Sequence, residues 1–175
     1  DADEAWSRLA GQPLIYECFV NFSRELSLVA ARDRGGRFRS YPLADNTHVG
    51  GILATTLAPF DDVRLQRAAE RNHRRLMQAF GYVGVLCVEY FVDRGRLVAN
   101  EMAPRVHNSG HWTIEGSETS QFQNHLRAVL GLPLGDTRML GQACMLNWIG
   151  TQPDADPVLS EASGHWHDYG KQPRA

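Results

Sequence analysis

The sequence predicts an α+β fold, in which a mainly antiparallel sheet is flanked by helices. Turn signals at Gly35-Gly36 and Arg94-Gly95 each lie between two apolar runs, which is typical of β-hairpins and therefore of antiparallel strands. Apolar residues recur with helical spacing in residues 61–80 and 117–130. Together, these hairpins and helices indicate a mixed fold whose sheet is not parallel.

Most of the chain can be assigned to an element. Strands are predicted at 13–20 (opened by Pro13), 25–33, 37–43, 52–58, 82–93, 96–101 and 139–149. A helix is predicted to end near residue 10, and two further helices occupy 61–80 and 117–130. Residues 46–51 and 102–116 are predicted to be loops, the second rich in His, Asn, Gly and Pro.

The two longer helices each show a cap and an apolar face. The first is predicted to begin at Asp61-Asp62, to end at Gly81 and to bury Leu65, Ala68, Ala69, Leu76, Met77 and Phe80. The second is predicted to begin at Ser117 and to bury Phe122, Leu126, Val129 and Leu130.

Length and composition exclude several classes of protein. The 175 residues, 43% of them hydrophobic, suit one domain or two tight subdomains and argue against disorder. A net charge of −2 argues against a general nucleic-acid binder, and no apolar run approaches the ~20 residues of a membrane span. The chain begins without Met, as a fragment or processed chain would. Cys18, Cys87 and Cys144 are expected to be buried free thiols in a reducing cytosol.

Glu89 and Glu101 are the most informative polar residues. Glu89 interrupts the most apolar stretch of the chain, and a hairpin centred on Gly95 places it directly opposite Glu101. Opposed carboxylates repel each other, so a bound divalent cation such as Mg²⁺ would relieve the conflict. The alternatives are one protonated glutamate, or two carboxylates at a solvated rim.

The loop after Glu101 places hydrogen-bond donors and cations directly behind the carboxylates. Arg105 offers a planar fork to a carboxylate or phosphate, while His107 and Asn108 can donate hydrogen bonds to an oxyanion. Each residue alone is more typical of an ordinary polar loop. Their clustering beside the carboxylate pair favours an anion site.

Three further residues suit a nucleotide. Glu17 lies in an otherwise apolar run, LIYECFV, whose backbone could bond an adenine edge, and Glu25 follows where a carboxylate could hold ribose hydroxyls. A purely structural role is the alternative for Glu17. His48, in the run NTHVGG, is ambiguous by itself.

Three segments resemble a known family. NEMAPRVHNSGHWT, the VEYF that carries Glu89 twelve residues before Glu101, and YPLADNTH resemble the ATP-grasp family and, within it, the 5-(carboxyamino)imidazole ribonucleotide synthases of purine biosynthesis. The resemblance covers residues 11–150 and, more weakly, 160–175. It implies the later part of an ATP-grasp domain in residues 1–149, then a linker and the start of a small C-terminal β domain in residues 150–175.

The resemblance also implies a ligand for each matching residue. The ATP site would consist of Glu17, Cys18, Phe19 and Val20 around the adenine, Glu25 at the ribose, His48 near the nucleotide, and Asn100 and Glu101 at the phosphates. Glu89 and Glu101 would hold Mg²⁺. Arg105, His107 and Asn108 would bind bicarbonate and its phosphorylated product, and Lys171, in Tyr169-Gly170-Lys171, would hold the phosphate of the ribonucleotide substrate.

The implied reaction is a ligation that forms a carbon–nitrogen bond. ATP phosphorylates bicarbonate to carboxyphosphate, and the amine of 5-aminoimidazole ribonucleotide attacks it, giving the carbamate, ADP and phosphate. A cytoplasmic homodimer without nucleic-acid or membrane partners is implied. Ala103 stands where many ATP-grasp relatives have an Asn ligand, which leaves two protein carboxylates for the metal.

Some parts of the family pattern are absent. There is no glycine-rich loop with its phosphate-binding lysine, since Lys171 is the only lysine, and neither the family's N-terminal domain nor its final basic segment is present. A partial form that is inactive in isolation is therefore expected. The alternatives are another ATP-grasp carboxylate–amine ligase, a non-catalytic nucleotide-binding or oligomerisation fragment, and a generic α+β domain.

Overall fold

A computed structural model describes residues 2–9, 12–148, 150 and 152–170. The strands within these residues are β1 (Arg24–Arg32), β2 (Phe38–Ser40), β3 (Ala44–Val49), β4 (Ile52–Ala58), β5 (Gly84–Asp93), β6 (Arg96–Ala103) and β7 (Ala143–Leu146). They form one antiparallel sheet with the order β6-β5-β1-β3-β4-β7, and β2 pairs with β1. The helices are α1 (Ala2–Leu9), α2 (Val63–Ala79), α3 (Thr113–Gly116), α4 (Gln121–Leu130) and α5 (Asp156–Leu159). The predicted α+β class is confirmed.

The central strands β1 and β5 carry a hydrophobic core on each face. They pair along their whole length, and alternate residues such as Leu28 and Val88 pack beneath α2. The opposite face buries Val29, Val85 and Cys87 beneath Trp112. Because both faces are covered in this part of the sheet, β5 is apolar at nearly every position.

Helix α2 is confirmed, with one difference in its buried face. Asp62 is the N-cap and accepts a hydrogen bond from the Leu65 N–H (2.9 Å). The buried residues are Leu65, Ala69, His73 and Met77, whereas Phe80 is 65% exposed. His73 was not predicted to be buried. Its ring nitrogens are within 3.0 Å of the Ala69 and Leu28 carbonyl oxygens, and desolvation lowers its pKa to about 4.

Helix α4 differs from its prediction in both start and orientation. Its N-cap is Ser120, in a capping box with Gln123, rather than Ser117. It buries Gln121, Asn124 and Ala128, while Leu126 is 57% exposed and Leu130 67%. The apolar pattern misleads here because the buried amides find hydrogen-bond partners: Asn124 donates to the Tyr41 hydroxyl and accepts from the Gly135 N–H, each at 2.8 Å.

Predictions for two strands and one loop need correction. Residues 13–20 form no strand, because no described residue pairs with their backbone; residues 13–19 are exposed, Ile15 to 87%, and Val20 is half-buried. The predicted loop 46–51 is the end of β3 followed by a Gly50-Gly51 turn, in which both φ angles are positive. The last strand is shorter than predicted and comprises only Ala143–Leu146.

Other expectations have mixed outcomes. Cys87 is a buried free thiol, as predicted, but Cys18 and Cys144 are exposed. Residues 102–116 contain the end of β6, a 3₁₀ turn at Asn108–Gly110 and α3 as well as loop. Among the described residues, no helix is long and apolar enough to cross a membrane. The division at residues 149 and 150 stays a prediction.

A buried amide should matter more to stability than an exposed leucine of the same helix. Replacing Asn124 with Ala leaves the Tyr41 hydroxyl and the Gly135 N–H short of a partner, so we expect a loss of about 2–3 kcal/mol in the free energy of unfolding. Replacing Leu126 with Ala should change it by less than about 0.5 kcal/mol. Urea denaturation of both variants measures the difference, and a larger loss for Leu126→Ala would contradict the observed orientation of α4.

Candidate active site

The β5–β6 hairpin, which carries Glu89 and Glu101, does not pair with a regular register. Its turn consists of Arg94 (φ 47°) and Gly95 (φ 71°), and positive φ values at both positions are those of a type I′ turn. From this turn the register runs from Asp93 opposite Arg96 to Tyr90 opposite Ala99. A regular continuation would place Asn100, not Glu101, opposite Glu89.

A β-bulge at Asn100 restores the predicted pairing. The register shifts between Tyr90 and Glu89, so that Glu89 lies directly opposite Glu101. Since successive side chains of a strand point to opposite faces, the extra residue moves Glu101 onto the face of Glu89. The pairing inferred from sequence is therefore confirmed, although it depends on a bulge and not on a hairpin centred on Gly95.

These acidic residues line a cleft of about 590 Å³. It lies on the sheet face opposite α2, beyond the apolar part of that face. Seven of the residues predicted from sequence line it: Glu25, His48, Glu89, Asn100, Glu101, His107 and Asn108. The structure thus brings together residues from β1, β3, β5, β6 and the loop that follows β6.

Glu89 is the buried member of the acidic pair. Its exposed fraction is 9%, whereas Glu101 is exposed. Desolvation raises the pKa of Glu89, and the negative charges of Glu101 and Glu25 raise it further, while His48 opposes the increase. Burial and the neighbouring negative charges therefore disfavour the ionised form of Glu89 in the free site, and a cation bound between the carboxylates would favour its ionisation.

Three buried polar atoms, on His48 of the cleft lining and on two residues paired with lining residues, have no hydrogen bond. Ser27, directly opposite Glu89 on β1, and Asn46, opposite Glu25 on β3, have a buried Oγ and Nδ2, respectively, with no partner. His48 Nδ1 is 2.5 Å from Glu25 Oε2, close enough for an ion pair but without the alignment of a hydrogen bond. Such atoms are rare in folded proteins and are typical of a site that a polar ligand or water completes.

Contacts with Ser109 hold the Nδ1 edge of the His107 ring. Its Nδ1 accepts from the Ser109 N–H and is 2.9 Å from the Ser109 hydroxyl. Burial raises the pKa of the neighbouring Cys87 to about 12, so this thiol stays protonated and can donate to Ser109 Oγ, 3.6 Å away. Desolvation and the charge of Arg105 lower the pKa of His107. A neutral ring that accepts at Nδ1 carries its proton on Nε2 and can donate it to a ligand.

The other predicted site residues lie outside this cleft or outside the described residues. Arg105 is exposed and does not line the cleft; its guanidinium bonds the Val106 carbonyl oxygen (3.0 Å). The predicted adenine residues also do not line it, namely Glu17, Cys18, Phe19 and Val20. Lys171 lies outside the described residues, but Tyr169 hydrogen-bonds His111 (2.9 Å), just beyond the 3₁₀ turn.

Sequence reasoning missed two parts of the site. Phe22 and Phe91 stack in parallel at 4.3 Å and form an apolar wall of the cleft. The alternation of β5 was a usable signal for Phe91, because it is two residues from Glu89 and so shares its face. Gln121 bonds the backbone of His107 from α4, and no local pattern indicated this contact.

The donor set fits a magnesium ion that keeps several non-protein ligands. Glu89 and Glu101 supply hard oxygen atoms, and no group of three or more His, Cys, Asp or Glu with metal-binding geometry occurs in the described parts of the chain. Mg²⁺ is commonly bound by one or two carboxylates together with phosphate oxygens and water. A cation fully enclosed by protein ligands does not fit these residues.

The chain is similar to proteins named N5-carboxyaminoimidazole ribonucleotide synthase along nearly all its length. It is 52% identical over 171 residues to N5-carboxyaminoimidazole ribonucleotide synthase of Pseudomonas aeruginosa, covering 98% of this chain and 47% of that protein. The enzyme of the same name from Escherichia coli is 44% identical over 161 residues, covering 91% and 45%. The chain thus spans about half the length of these curated relatives.

Solved structures agree with this similarity. N5-carboxyaminoimidazole ribonucleotide synthetase from Thermus thermophilus has a TM-score of 0.94 at 55% identity, over 99% of this chain and 49% of that one. The Aspergillus clavatus synthase, in complex with ADP and 5-aminoimidazole ribonucleotide, has a TM-score of 0.79 at 33% identity, over 85% and 41%. The model of the ATP-grasp domain matches residues 1–122, well over half of the sequence. This chain therefore belongs to the ATP-grasp family.

Proposed function

We propose that the protein carboxylates the amino group of 5-aminoimidazole ribonucleotide, using ATP and bicarbonate, through carboxyphosphate. The products are 5-(carboxyamino)imidazole ribonucleotide, ADP and phosphate. The observation that carries the proposal is the buried Glu89 opposite Glu101, in a cleft that also contains His107 and Asn108. The names of the similar proteins, and the ligands of the Aspergillus structure, support the choice of substrates.

The nucleotide end of the cleft is assigned to ATP. Glu89 and Glu101 hold Mg²⁺, which when bound neutralises and aligns the phosphates for transfer. Asn100 extends from the bulge toward these phosphates, while Glu25 and His48 lie where the nucleoside can be held. Residues 17–20 complete the adenine pocket in this proposal, next to the Phe22–Phe91 stack.

The loop after β6 is assigned to bicarbonate and carboxyphosphate. Arg105 turns its guanidinium from the Val106 carbonyl to the small anion, and Asn108 donates a hydrogen bond to it. Neutral His107 donates from Nε2 without adding a charge that would compete with Arg105. Fixing two reactants in this way can lower the barrier by about 7–11 kcal/mol. Lys171 holds the ribonucleotide phosphate, which the docking of Tyr169 onto His111 supports.

The wider assignments follow from the same proposal. Residues 1–149 form the later part of the ATP-grasp domain, and residues 150–175 are a linker and the start of a small C-terminal domain. The protein acts as a cytoplasmic homodimer, without nucleic acid or membrane as partner.

Phosphate release tests the function directly. The protein expressed from its complete reading frame is supplied with Mg²⁺ and ATP, with or without bicarbonate and 5-aminoimidazole ribonucleotide. Release that requires the ribonucleotide and increases with bicarbonate is the expected result. Release with a different acceptor would indicate another ATP-grasp ligase, and binding of ADP without any release would indicate a non-catalytic nucleotide-binding module.

Glu101→Gln should abolish most turnover with little change in fold. The amide keeps the shape of the side chain but removes one of the two charges offered to Mg²⁺, so we expect kcat to fall by at least about 100-fold. Glu118→Gln is the control, because Glu118 forms an exposed ion pair with Arg138. A near-normal rate for Glu101→Gln would contradict the metal assignment.

Arg105→Lys should be severe although the charge is kept. An ammonium group cannot replace the two parallel hydrogen bonds of a guanidinium, so kcat/KM for bicarbonate should fall by about 10–100-fold while KM for ATP stays nearly unchanged. Arg96→Lys, at an exposed position of the same hairpin, is the control. Initial rates at varied bicarbonate concentrations decide; an unchanged bicarbonate dependence would remove Arg105 from the site.

Glu89→Gln should stabilise the protein without Mg²⁺ at neutral pH. Because the pKa of Glu89 is raised on folding, protonation of Glu89 stabilises the folded state. This contribution to stability is complete below the ordinary pKa of 4.5 and is lost as the pH rises through the raised pKa of the folded state. Glutamine cannot ionise, so the gain in Tm should be near zero at about pH 4 and positive at about pH 7.5.

Melting curves in EDTA measure this difference. The control is Glu161→Gln, at an exposed position, which should show no such pH dependence. A Glu89→Gln variant that is less stable than the parent at neutral pH would mean that the Glu89 carboxylate is favourably paired in the free protein.

A further inference from the structure

Gln121 connects helix α4 to the loop that carries His107. Its side chain is fully buried, and its amide is directed at the backbone of one residue, His107. The Gln121 Oε1 accepts from the His107 N–H (3.0 Å), and Nε2 donates to the His107 carbonyl oxygen (2.7 Å). Both main-chain groups of His107 are therefore bonded by one side chain.

Neighbouring contacts close the loop around this amide. The Gln121 N–H donates to Thr113 Oγ1 (3.0 Å), and the Thr113 hydroxyl donates to the Gly110 carbonyl oxygen (2.6 Å). Gly110 packs directly on the amide, because a Cβ at this position would lie 2.7 Å from Gln121 Oε1 and 2.9 Å from Val29 Cγ2. The loop can come this close only because residue 110 is glycine.

The base of this contact is rigid. Gln121 is the first residue of α4, directly after the N-cap Ser120, which forms a capping box with Gln123. One turn later, Asn124 bonds the buried Tyr41 hydroxyl (2.8 Å), which in turn donates to the Thr119 carbonyl oxygen (2.8 Å). The start of α4 is thus fixed to the core, and Gln121 transmits that position to the loop.

The loop position decides where two site residues point. His107 lies with Nδ1 3.8 Å from Glu89 Oε1, and Asn108 follows it at the start of the 3₁₀ turn. We propose that Gln121 is a positioning residue, which holds the His107 backbone so that His107 and Asn108 face the acidic pair. The expected effect on turnover rests on the proposed function, whereas the expected effect on the position of the loop rests on the hydrogen bonds alone.

The chemistry requires an amide of this length. A primary amide is able to accept from an N–H and donate to a carbonyl oxygen at the same time. In Gln121→Glu an ionised carboxylate can still accept from the His107 N–H, but its second oxygen faces the His107 carbonyl oxygen and repels it. In Gln121→Met neither hydrogen bond can form. Both variants keep the approximate size of the side chain, so the loop loses hydrogen bonds and not packing.

Hydrogen exchange tests the structural part without reference to activity. In the protein expressed from its complete reading frame, amides in residues 105–111 should exchange about tenfold faster in Gln121→Met and Gln121→Glu. Amides of β1 and β5 should be unchanged. Gln78→Met is the matched control, because Gln78 is exposed on α2. Gly110→Ala disturbs the same contact from the loop side and should show the same local increase if a Gln121 variant fails to fold.

Steady-state kinetics test the functional part. Displacement of the loop should lower kcat by about 100-fold, while KM for ATP changes less than about twofold, because the nucleotide is held by other strands. A merely structural role would instead lower Tm and raise KM for ATP together. If the parent protein has no activity with bicarbonate and 5-aminoimidazole ribonucleotide, the proposed function fails, but the exchange comparison still decides the role of Gln121.

Two results would overturn the inference. One is unchanged exchange of residues 105–111 in all three folded variants, which would mean that other contacts hold the loop. The other is near-parent kcat in Gln121→Met despite faster local exchange, which would mean that the held position has no consequence for the reaction.

Discussion

The juxtaposition of Glu89 and Glu101 is the constraint on which the rest of the site depends. One inserted residue, Asn100, turns Glu101 onto the face of Glu89, and a shift of one residue would turn it away. Glu89 is buried, and its pKa is raised by desolvation and by two neighbouring carboxylates. Strongly perturbed carboxyls of this kind are concentrated at functional sites, and a bound cation would relieve the repulsion between Glu89 and Glu101.

The same sheet face serves both as hydrophobic core and as site. Along β5, the residues of this face change from Val85 and Cys87 to Glu89 and Phe91, and along β1 from Val29 to Ser27 and Glu25. The apolar half is covered by α4 and the loop after β6, whereas the polar half opens into the cleft. The well-packed half gives the polar half a rigid support, which matters because a catalytic geometry tolerates little displacement.

Helix α4 reverses the usual relation between polarity and burial. Its buried amides, Gln121 and Asn124, bond a loop backbone and a tyrosine hydroxyl, while Leu126 and Leu130 remain exposed. A buried polar side chain is tolerated when its hydrogen bonds are satisfied, and it then specifies one geometry more strictly than an apolar contact does. The loop that carries His107 gains its position from this specificity.

The sequence by itself determined the elements whose causes are local. Turn residues at Gly35-Gly36 and Arg94-Gly95 and the Asp62 cap of α2 are sufficient to predict hairpins and a helix. The pairing of Glu89 with Glu101 also depends on the bulge at Asn100, which the sequence pattern did not predict. Only the tertiary structure decided what depends on partners distant in sequence. The run 13–20 has strand character but no described neighbouring strand to pair with. Helix α4 buries Asn124 and Gln121 because Tyr41 and His107 supply their hydrogen-bond partners. Strand pairing and the burial of polar side chains depend on partners far away in the sequence, so local periodicity cannot predict them.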